Sequence, residues 1–341
     1  MKIVKITTEI KQIELKTPFK TALRETSTVE FVRVLVECEN GFSAFGEAPA
    51  TKAITGEGIE DILNSINSAK DSLLNLSLKD ALTLLHKELK IGSSAKAALD
   101  MSFVQLLSKE NHKILYDYFG AKDLSSLKTD ITISLNEASI MLQDAKNAYK
   151  AGMEMLKVKV GSDIEHAIEV VRSISHELPQ AEILVDANQA WSRADTLRFI
   201  ESMSDVEVEF IEQPVVAYDL EGLKIITASS YIPILADEAV FTLEDVKKVI
   251  ESDSADMINI KLMKCGGVTK AIEILEYARE KNITCMLGSM LEGPYSINVA
   301  LHLALAYRDV IKYVDLDSPL LYKEMPKELD FEFDGCEIKL K

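Results

Sequence analysis

Hydrophobic and polar positions change their rhythm along this chain. Residues 2–15 alternate polar and apolar. Residues 29–38, Val29-Glu30-Phe31-Val32-Arg33-Val34-Leu35-Val36-Glu37-Cys38, are rich in β-branched side chains, and Asn40-Gly41 is a tight-turn pair leading into Ser43–Glu47. This predicts three antiparallel strands. From Ser94 to Tyr118 apolar residues such as Ala98, Met101 and Leu106 recur at three- and four-residue spacing, as on one face of a helix. Gly120 closes this α+β unit. Beyond about residue 129, short apolar runs alternate with amphipathic stretches. The runs end near Ser134, Lys159, Asp186, Glu212, Asp237, Lys261, Ser289 and Asp317. Eight strand–helix repeats predict an α/β fold, a modified (β/α)8 TIM-like barrel over residues 123–321. Its first helix is expected over Glu137–Ala151, stopped by Gly152. The stretch from Phe331 to Ile338 reads as a hairpin about Asp334-Gly335, expected to return to the antiparallel sheet. Residues 322–341 would then join residues 1–122 in one α+β domain.

Hydrophobic residues at 47% and charged residues at 27% suit a globular chain with a large core. A net charge of -17 offers no basic face, so neither nucleic acid nor an anionic membrane is an expected partner. A small anionic substrate remains open, because the field inside a pocket is set by the charges lining it. The N-terminus lacks the apolar core of a secretory leader, and no apolar run reaches bilayer-spanning length. The four cysteines, Cys38, Cys265, Cys285 and Cys336, show no C-x-x-C spacing and read as reduced thiols of a cytoplasmic protein.

Three acids each end an apolar run: Ile183-Leu184-Val185-Asp186, Phe210-Ile211-Glu212 and Ile234-Leu235-Ala236-Asp237. Strand C-termini of such a barrel converge on one mouth. A carboxylate closing a buried strand is costly unless paired, and three together repel one another unless a cation lies between them. The ligand set is all oxygen, which selects a hard divalent ion, Mg²⁺ by default and one per chain.

In Leu156-Lys157-Val158-Lys159-Val160, alternation puts both lysines on one face and the apolar residues on the other. Mutual repulsion beside a bound cation is expected to lower their pKa values, as a lysine base requires. Lys261 ends a strand four positions further round, on the opposite wall. Two bases on opposite sides of one carbon can invert a stereocentre. Lys264, in the loop before Cys265-Gly266-Gly267, is expected at the surface.

The motifs Lys157-Val158-Lys159, Asp186-Ala187-Asn188, Glu212-Gln213-Pro214, Asp237-Glu238 and Asn259-Ile260-Lys261 together resemble the enolase superfamily, in particular its muconate-lactonizing subgroup, over essentially the whole chain. The resemblance implies an enolase-like cap and barrel, with Lys159 and Lys261 as the acid/base pair. It also implies Lys157 as the group that stabilises the enolate oxygens, and Asp186, Glu212 and Asp237 as Mg²⁺ ligands. The five histidines offer no barrel His-Asp dyad of the mandelate racemase kind. Tyr313-Val314-Asp315-Leu316-Asp317 resembles the Asp-X-Asp of dipeptide epimerases, where two carboxylates would bind the ammonium of a peptide N-terminus. Arg24, in Pro18-Phe19-Lys20-Thr21-Ala22-Leu23-Arg24, resembles the specificity-loop arginine of L-Ala-D/L-Glu epimerases. Thr132, Ser289, Met290 and Leu291 match substrate-contacting positions, while Glu238 and Glu292 are expected to orient lysines or water. The implied activity is Mg²⁺-dependent epimerisation of a small dipeptide, in a homo-oligomer. The alternative is a lyase of the same subgroup, a muconate-type cycloisomerase or an o-succinylbenzoate synthase.

Overall fold

A computed structural model describes residues 1–326 and 329–341. Strands β1 (Ile3–Lys20), β2 (Glu25–Cys38) and β3 (Ser43–Pro49) form an antiparallel sheet in that order. β1 and β2 are longer than their apolar alternation suggests. After a register irregularity between Glu14 and Phe19 they continue as a largely exposed ribbon, paired by backbone bonds without a core face behind it. Helices Ile59–Leu73, Leu78–Lys87 and Ser93–Glu110 complete this part of the molecule. The last is buried along most of its length, between the sheet and the barrel.

A short strand β4 (Leu127–Lys128) leads into eight parallel strands: β5 (Ile131–Ile133), β6 (Met155–Lys159), β7 (Glu182–Asp186), β8 (Phe210–Glu212), β9 (Ile234–Ala236), β10 (Met257–Lys261), β11 (Thr284–Gly288) and β12 (Ile311–Asp315). Their order around the sheet is their order in the chain. A parallel bridge from Thr129 to Val314, with Asp130 N donating to Val314 O at 3.1 Å, brings β12 back to β5 and nearly closes the barrel. The first crossover helix, Ala138–Lys150, lies inside the expected span, with Glu137 and Ala151 as its flanking caps and Gly152 beyond at φ 89°.

The two-residue period of a strand decides what faces inward. Met155, Leu184, Phe210, Leu235, Met257 and Met286, with Tyr313 packed on them, plug the barrel floor. Two positions further along the same strands stand Lys157, Asp186, Glu212, Asp237, Asn259, Gly288 and Asp315. The intervening residues, such as Leu156, Val158, Ile183, Val185 and Ile211, face outward and pack under the helices. One periodicity thus builds an apolar floor, a polar layer above it and an outer hydrophobic shell.

β13 (Phe331–Asp334) and β14 (Glu337–Leu340) are the expected C-terminal hairpin. It does not extend the N-terminal sheet. β14 pairs with β4 through Glu337–Lys128 and Ile338–Leu127, because the extended lead-in to β5 offers an open edge beside the hairpin. Residues 322–323 do meet β1, through the Leu15–Tyr322 bridge and a 2.8 Å bond from Lys323 N to Glu14 O.

Two buried carboxylates tie the N-terminal elements to barrel helices. Glu47 on β3 accepts Tyr295 N at 2.8 Å and Ser296 N at 3.1 Å in the first turn of helix Pro294–Ala306, and pairs with Arg33 at 2.7 Å. Asp100 accepts Thr269 N at 3.1 Å at the start of helix Val268–Lys281 and meets His86 Nε2 at 2.7 Å. Each satisfies main-chain donors that a helix leaves unpaired at its N-terminus. All four cysteines are free, and among the described residues no helix is long and apolar enough to cross a membrane.

Candidate active site

The mouth of the barrel and the β1–β2 connection enclose a cavity of about 560 Å³ that opens to solvent. Lys159, Lys261, Thr132, Ser289, Met290, Leu291, Asp237, Asp315 and Asp317 line it from the barrel, and Arg24 lines it from the connection. Lys157, Asp186 and Glu212 are not in its wall; they lie directly beneath, in the buried polar layer. The sequence-predicted residues therefore converge on one place in two tiers.

The lysines and acids interlock. Lys159 Nζ donates to Asp186 Oδ2 at 2.5 Å, and Lys261 Nζ to Asp237 Oδ2 at 2.7 Å. Lys157 Nζ lies 2.7 Å from Glu212 Oε2, 2.8 Å from Asp315 Oδ2 and 3.3 Å from Asp186 Oδ2. The expectation of a depressed pKa fails at Lys157. Burial alone would lower Lys157, but Asp315, Glu212 and Asp186 hold it well above the ordinary lysine range. Burial is likewise overcome at Lys261, where Asp237 raises the ammonium. The carboxylates, not the neighbouring ammonium groups, dominate the local field.

Two corrections concern residues beside the motifs. Lys264 is not at the surface: it is 2% exposed, in the turn Leu262–Cys265, and donates to Asp237 Oδ1, Asp237 O and Asn259 O. The loop after β10 folds back beneath helix Ser93–Glu110, so a position that reads as a polar loop is covered from above. Glu238 and Glu292 do not hold lysines either. Glu238 Oε1 accepts Asn188 Nδ2 at 3.2 Å, and burial, followed by Asp237 and Asp186, raises its pKa to about 8. Glu292 accepts Met290 N at 2.9 Å and Ser296 Oγ, which fixes the loop carrying Ser289, Met290 and Leu291.

Polar residues next to the acids set their aim. Asn259 Nδ2 donates to Glu212 Oε1 at 2.8 Å. Gln213 Oε1 accepts Asp237 N at 2.9 Å and Ala239 N at 3.0 Å. Asn188, Gln189 and Gln213 have positive φ (43°, 68° and 37°), a cost of order 1 kcal/mol or more each for non-glycine residues, located in the turns directly after Asp186 and Glu212. Gly288 is the inward position of β11, where a Cβ would sit 2.6 Å from Asn259 Oδ1 and 3.0 Å from Lys261 Cε. Its missing side chain is the space those two residues occupy.

The charge balance suits a cation. Seven buried carboxylates (Asp130, Asp186, Glu212, Asp237, Glu238, Asp315 and Asp317) face four buried lysines (Lys157, Lys159, Lys261 and Lys264). Glu212 Oε2 meets Lys157 Nζ but has no properly directed hydrogen bond, and burial, with Asp186 beside it, pushes Glu212 up to about 7. Buried carboxylates in excess of the lysines among them, in an all-oxygen donor set, fit a hard divalent ion. The three carboxylates whose oxygens crowd most closely are others: single oxygens of Asp130, Asp315 and Asp317 lie within 4.8 Å of one another. Asp130 escaped the sequence reading because it precedes a three-residue strand and belongs to no motif. Arg24 is half-buried in the cavity wall, and among the described residues no carboxylate pairs with it.

Family comparisons agree with this geometry. Residues 3–120 match the N-terminal domain of mandelate racemase/muconate lactonizing enzymes, and residues 141–340 match the enolase C-terminal domain-like family. The chain is 69% identical over 339 residues to an L-amino acid-D/L-Glu epimerase of Sulfurimonas denitrificans, covering 99% of each. Among solved structures it is similar to a substrate-liganded L-Ala-D/L-Glu epimerase of Bacillus subtilis (TM-score 0.96, 37% identity, covering 100% of this chain and 97% of that one). It is also similar to a dipeptide epimerase of Enterococcus faecalis complexed with Mg and L-Leu-L-Tyr (TM-score 0.93, 32% identity, covering 100% and 98%).

Proposed function

The chain belongs to the mandelate racemase/muconate lactonizing enzyme family of the enolase superfamily, and on that premise we propose that it is a magnesium-dependent dipeptide epimerase acting on substrates with a C-terminal glutamate. The observation that carries this reading is the pair Lys159 and Lys261, on strands β6 and β10 four places apart around the barrel, both lining one cavity.

Inversion at the α-carbon requires a proton to leave one face and another to arrive at the opposite face. One lysine takes the α-proton on its Nζ, and the other gives a proton from its own Nζ. Lys157, held charged by Asp315, Glu212 and Asp186, is the fixed ammonium that faces the enolate oxygens. Asp186, Glu212 and Asp237 would hold Mg²⁺, which when bound supplies positive charge to a carboxylate that must become still more negative. Arg24 pairs with the glutamate side chain, and Asp315 and Asp317 take the substrate's ammonium. That acidic pair disfavours a dianion of the muconate kind. Thr132, Ser289, Met290 and Leu291 shape the remaining wall, and the 21–24 connection covers part of the mouth. Residues 1–122 serve as the cap and 123–321 as the catalytic barrel. Cell-wall peptide metabolism is the setting such a substrate implies, the family suggests a homo-oligomer, and the unpaired cysteines suit the cytoplasm.

The test is proton NMR of L-Ala-L-Glu with enzyme and Mg²⁺ in D₂O. The glutamate α-proton signal disappears and the other diastereomer accumulates. Lys159→Ala and Lys261→Ala each lose epimerisation by roughly a thousandfold or more. Full epimerisation by either variant rules out the two-base mechanism, and no exchange with any dipeptide rules out the activity.

A further inference from the structure

Asp130 stands where the barrel's own periodicity calls for an apolar residue. On β6 through β12 the inward floor positions are Met155, Leu184, Phe210, Leu235, Met257, Met286 and Tyr313. On the first stave the pairing of Thr132 with Lys157 puts Asp130, two residues earlier, level with Met155. On its other side the Thr129–Val314 bridge sets Asp130 beside Asp315. Its carboxyl group is fully buried, and among the described residues neither oxygen has a hydrogen-bond partner. An unpaired buried carboxyl costs several kcal/mol, so this residue is expensive unless something binds to it.

The geometry of its neighbours says what that is. Single oxygens of the three carboxylates all lie within 4.8 Å of one another, close enough for one ammonium between them to reach all three. A primary ammonium has three N–H donors, and here are three carboxylates. Asp315 and Asp317 reach the cavity wall, and Asp130 closes the cluster from below. Two of the three already have one partner each: Asp315 Oδ2 meets Lys157 Nζ at 2.8 Å, and Asp317 Oδ2 accepts Thr132 N at 2.8 Å. Asp130 alone is uncommitted.

We propose that Asp130 is the third acceptor of the ammonium subsite, a specificity-determining residue that makes the enzyme demand a free, charged amino terminus. This inference rests on the dipeptide reading above. It extends it from the Asp-X-Asp pair to a residue on the opposite side of the barrel seam.

The experiment is calorimetric binding, which needs no turnover, of L-Ala-L-Glu and of N-propionyl-L-glutamate, the same molecule without its ammonium. It is run in Mg²⁺ with the unaltered protein and with Asp130→Asn, an isosteric change that removes the ionisable group. The expected result is that Asp130→Asn weakens L-Ala-L-Glu by roughly tenfold or more and leaves N-propionyl-L-glutamate within about twofold. Equal weakening of both ligands, or of neither, overturns the proposal. Loss of a second bound Mg²⁺ equivalent in Asp130→Asn also overturns it, since the triad would then be a metal site. Urea unfolding and Asp130→Leu, which restores the apolar floor, cover the case of misfolding. A folded Asp130→Leu shows the same selective loss, and an undiminished preference for the ammonium-bearing ligand in that variant refutes the role. If the unaltered protein binds both ligands yet exchanges no α-proton, the epimerase reading fails while the subsite is still measured.

Discussion

Gly288→Ala tests whether the polar layer is set by packing or merely by charge. The new methyl group would sit 2.6 Å from Asn259 Oδ1, 2.9 Å from Asn259 Nδ2 and 3.0 Å from Lys261 Cε. Restoring ordinary contact needs a shift of about 0.8 Å between β11 and the Asn259 side chain. Asn259 cannot retreat freely, because its Nδ2 donates to Glu212 Oε1 at 2.8 Å and its carbonyl accepts Lys264. The displacement therefore passes to Glu212 and to the aliphatic arm of Lys261. Misplacing catalytic groups by about 1 Å costs roughly a hundredfold in rate, whereas overpacking costs about 1–3 kcal/mol of stability. The expected phenotype is a folded protein whose kcat for L-Ala-L-Glu epimerisation falls about a hundredfold. Because Lys159 is not touched, exchange of an α-proton without inversion should survive in greater proportion than epimerisation. The assay follows both by NMR in D₂O, with urea unfolding alongside. A variant that keeps kcat within about threefold would refute the packing argument.

Lys264→Met removes a buried ammonium that serves Asp237 and two backbone carbonyls, and should destabilise the fold by roughly 3–5 kcal/mol in urea unfolding; a loss below about 1 kcal/mol would contradict the role assigned to it. Arg24→Met should raise KM for L-Ala-L-Glu by about a hundredfold, with far less effect on a dipeptide ending in a neutral residue; equal effects on both would locate Arg24 elsewhere in the reaction. His302, stacked on Tyr116 with its Nδ1 unpartnered, is pushed down to about 4 by burial. The unfolded chain then holds a proton the folded one lacks between about pH 6.5 and 4. That contribution is complete above pH 6.5 and is lost as the pH falls toward 4. Between pH 7 and 4.5, His302→Phe should lose roughly 2–3 kcal/mol less stability than the unaltered protein; identical losses would show that His302 is not the group responsible.

Much of the fold was legible because its two periodicities are clean. The eight apolar runs became eight barrel strands, and the acids and lysines that end or punctuate them line or underlie one cavity. What escaped were contacts made across the fold. Lys264 reads as a loop residue until helix Ser93–Glu110 is laid over it. Asp130 lies next to the barrel seam, where two strand registers that are remote in sequence meet. The hairpin over 331–338 was recognisable by its turn, but its partner β4 is two residues long and carries no strand signal of its own. The pKa direction at Lys157 went astray because repulsion between two neighbours is visible in a strand motif, whereas the carboxylates of Asp186, Glu212 and Asp315, arriving from three other strands, are not.

Glu47 and Asp100 carry a consequence for divergence. Each grips the main chain of a barrel helix, at Tyr295 and Ser296 or at Thr269, so the joint is blind to the side chains it holds. What it does constrain is the residue just ahead of each helix, since a methyl group on Gly293 would strike Glu47 and one on Gly267 would strike Asp100. Two acids and two glycines thus anchor the N-terminal elements to the barrel helices through the main chain. Neither joint involves the 21–24 connection, which can be rewritten for a new side chain without loosening the frame that carries the chemistry.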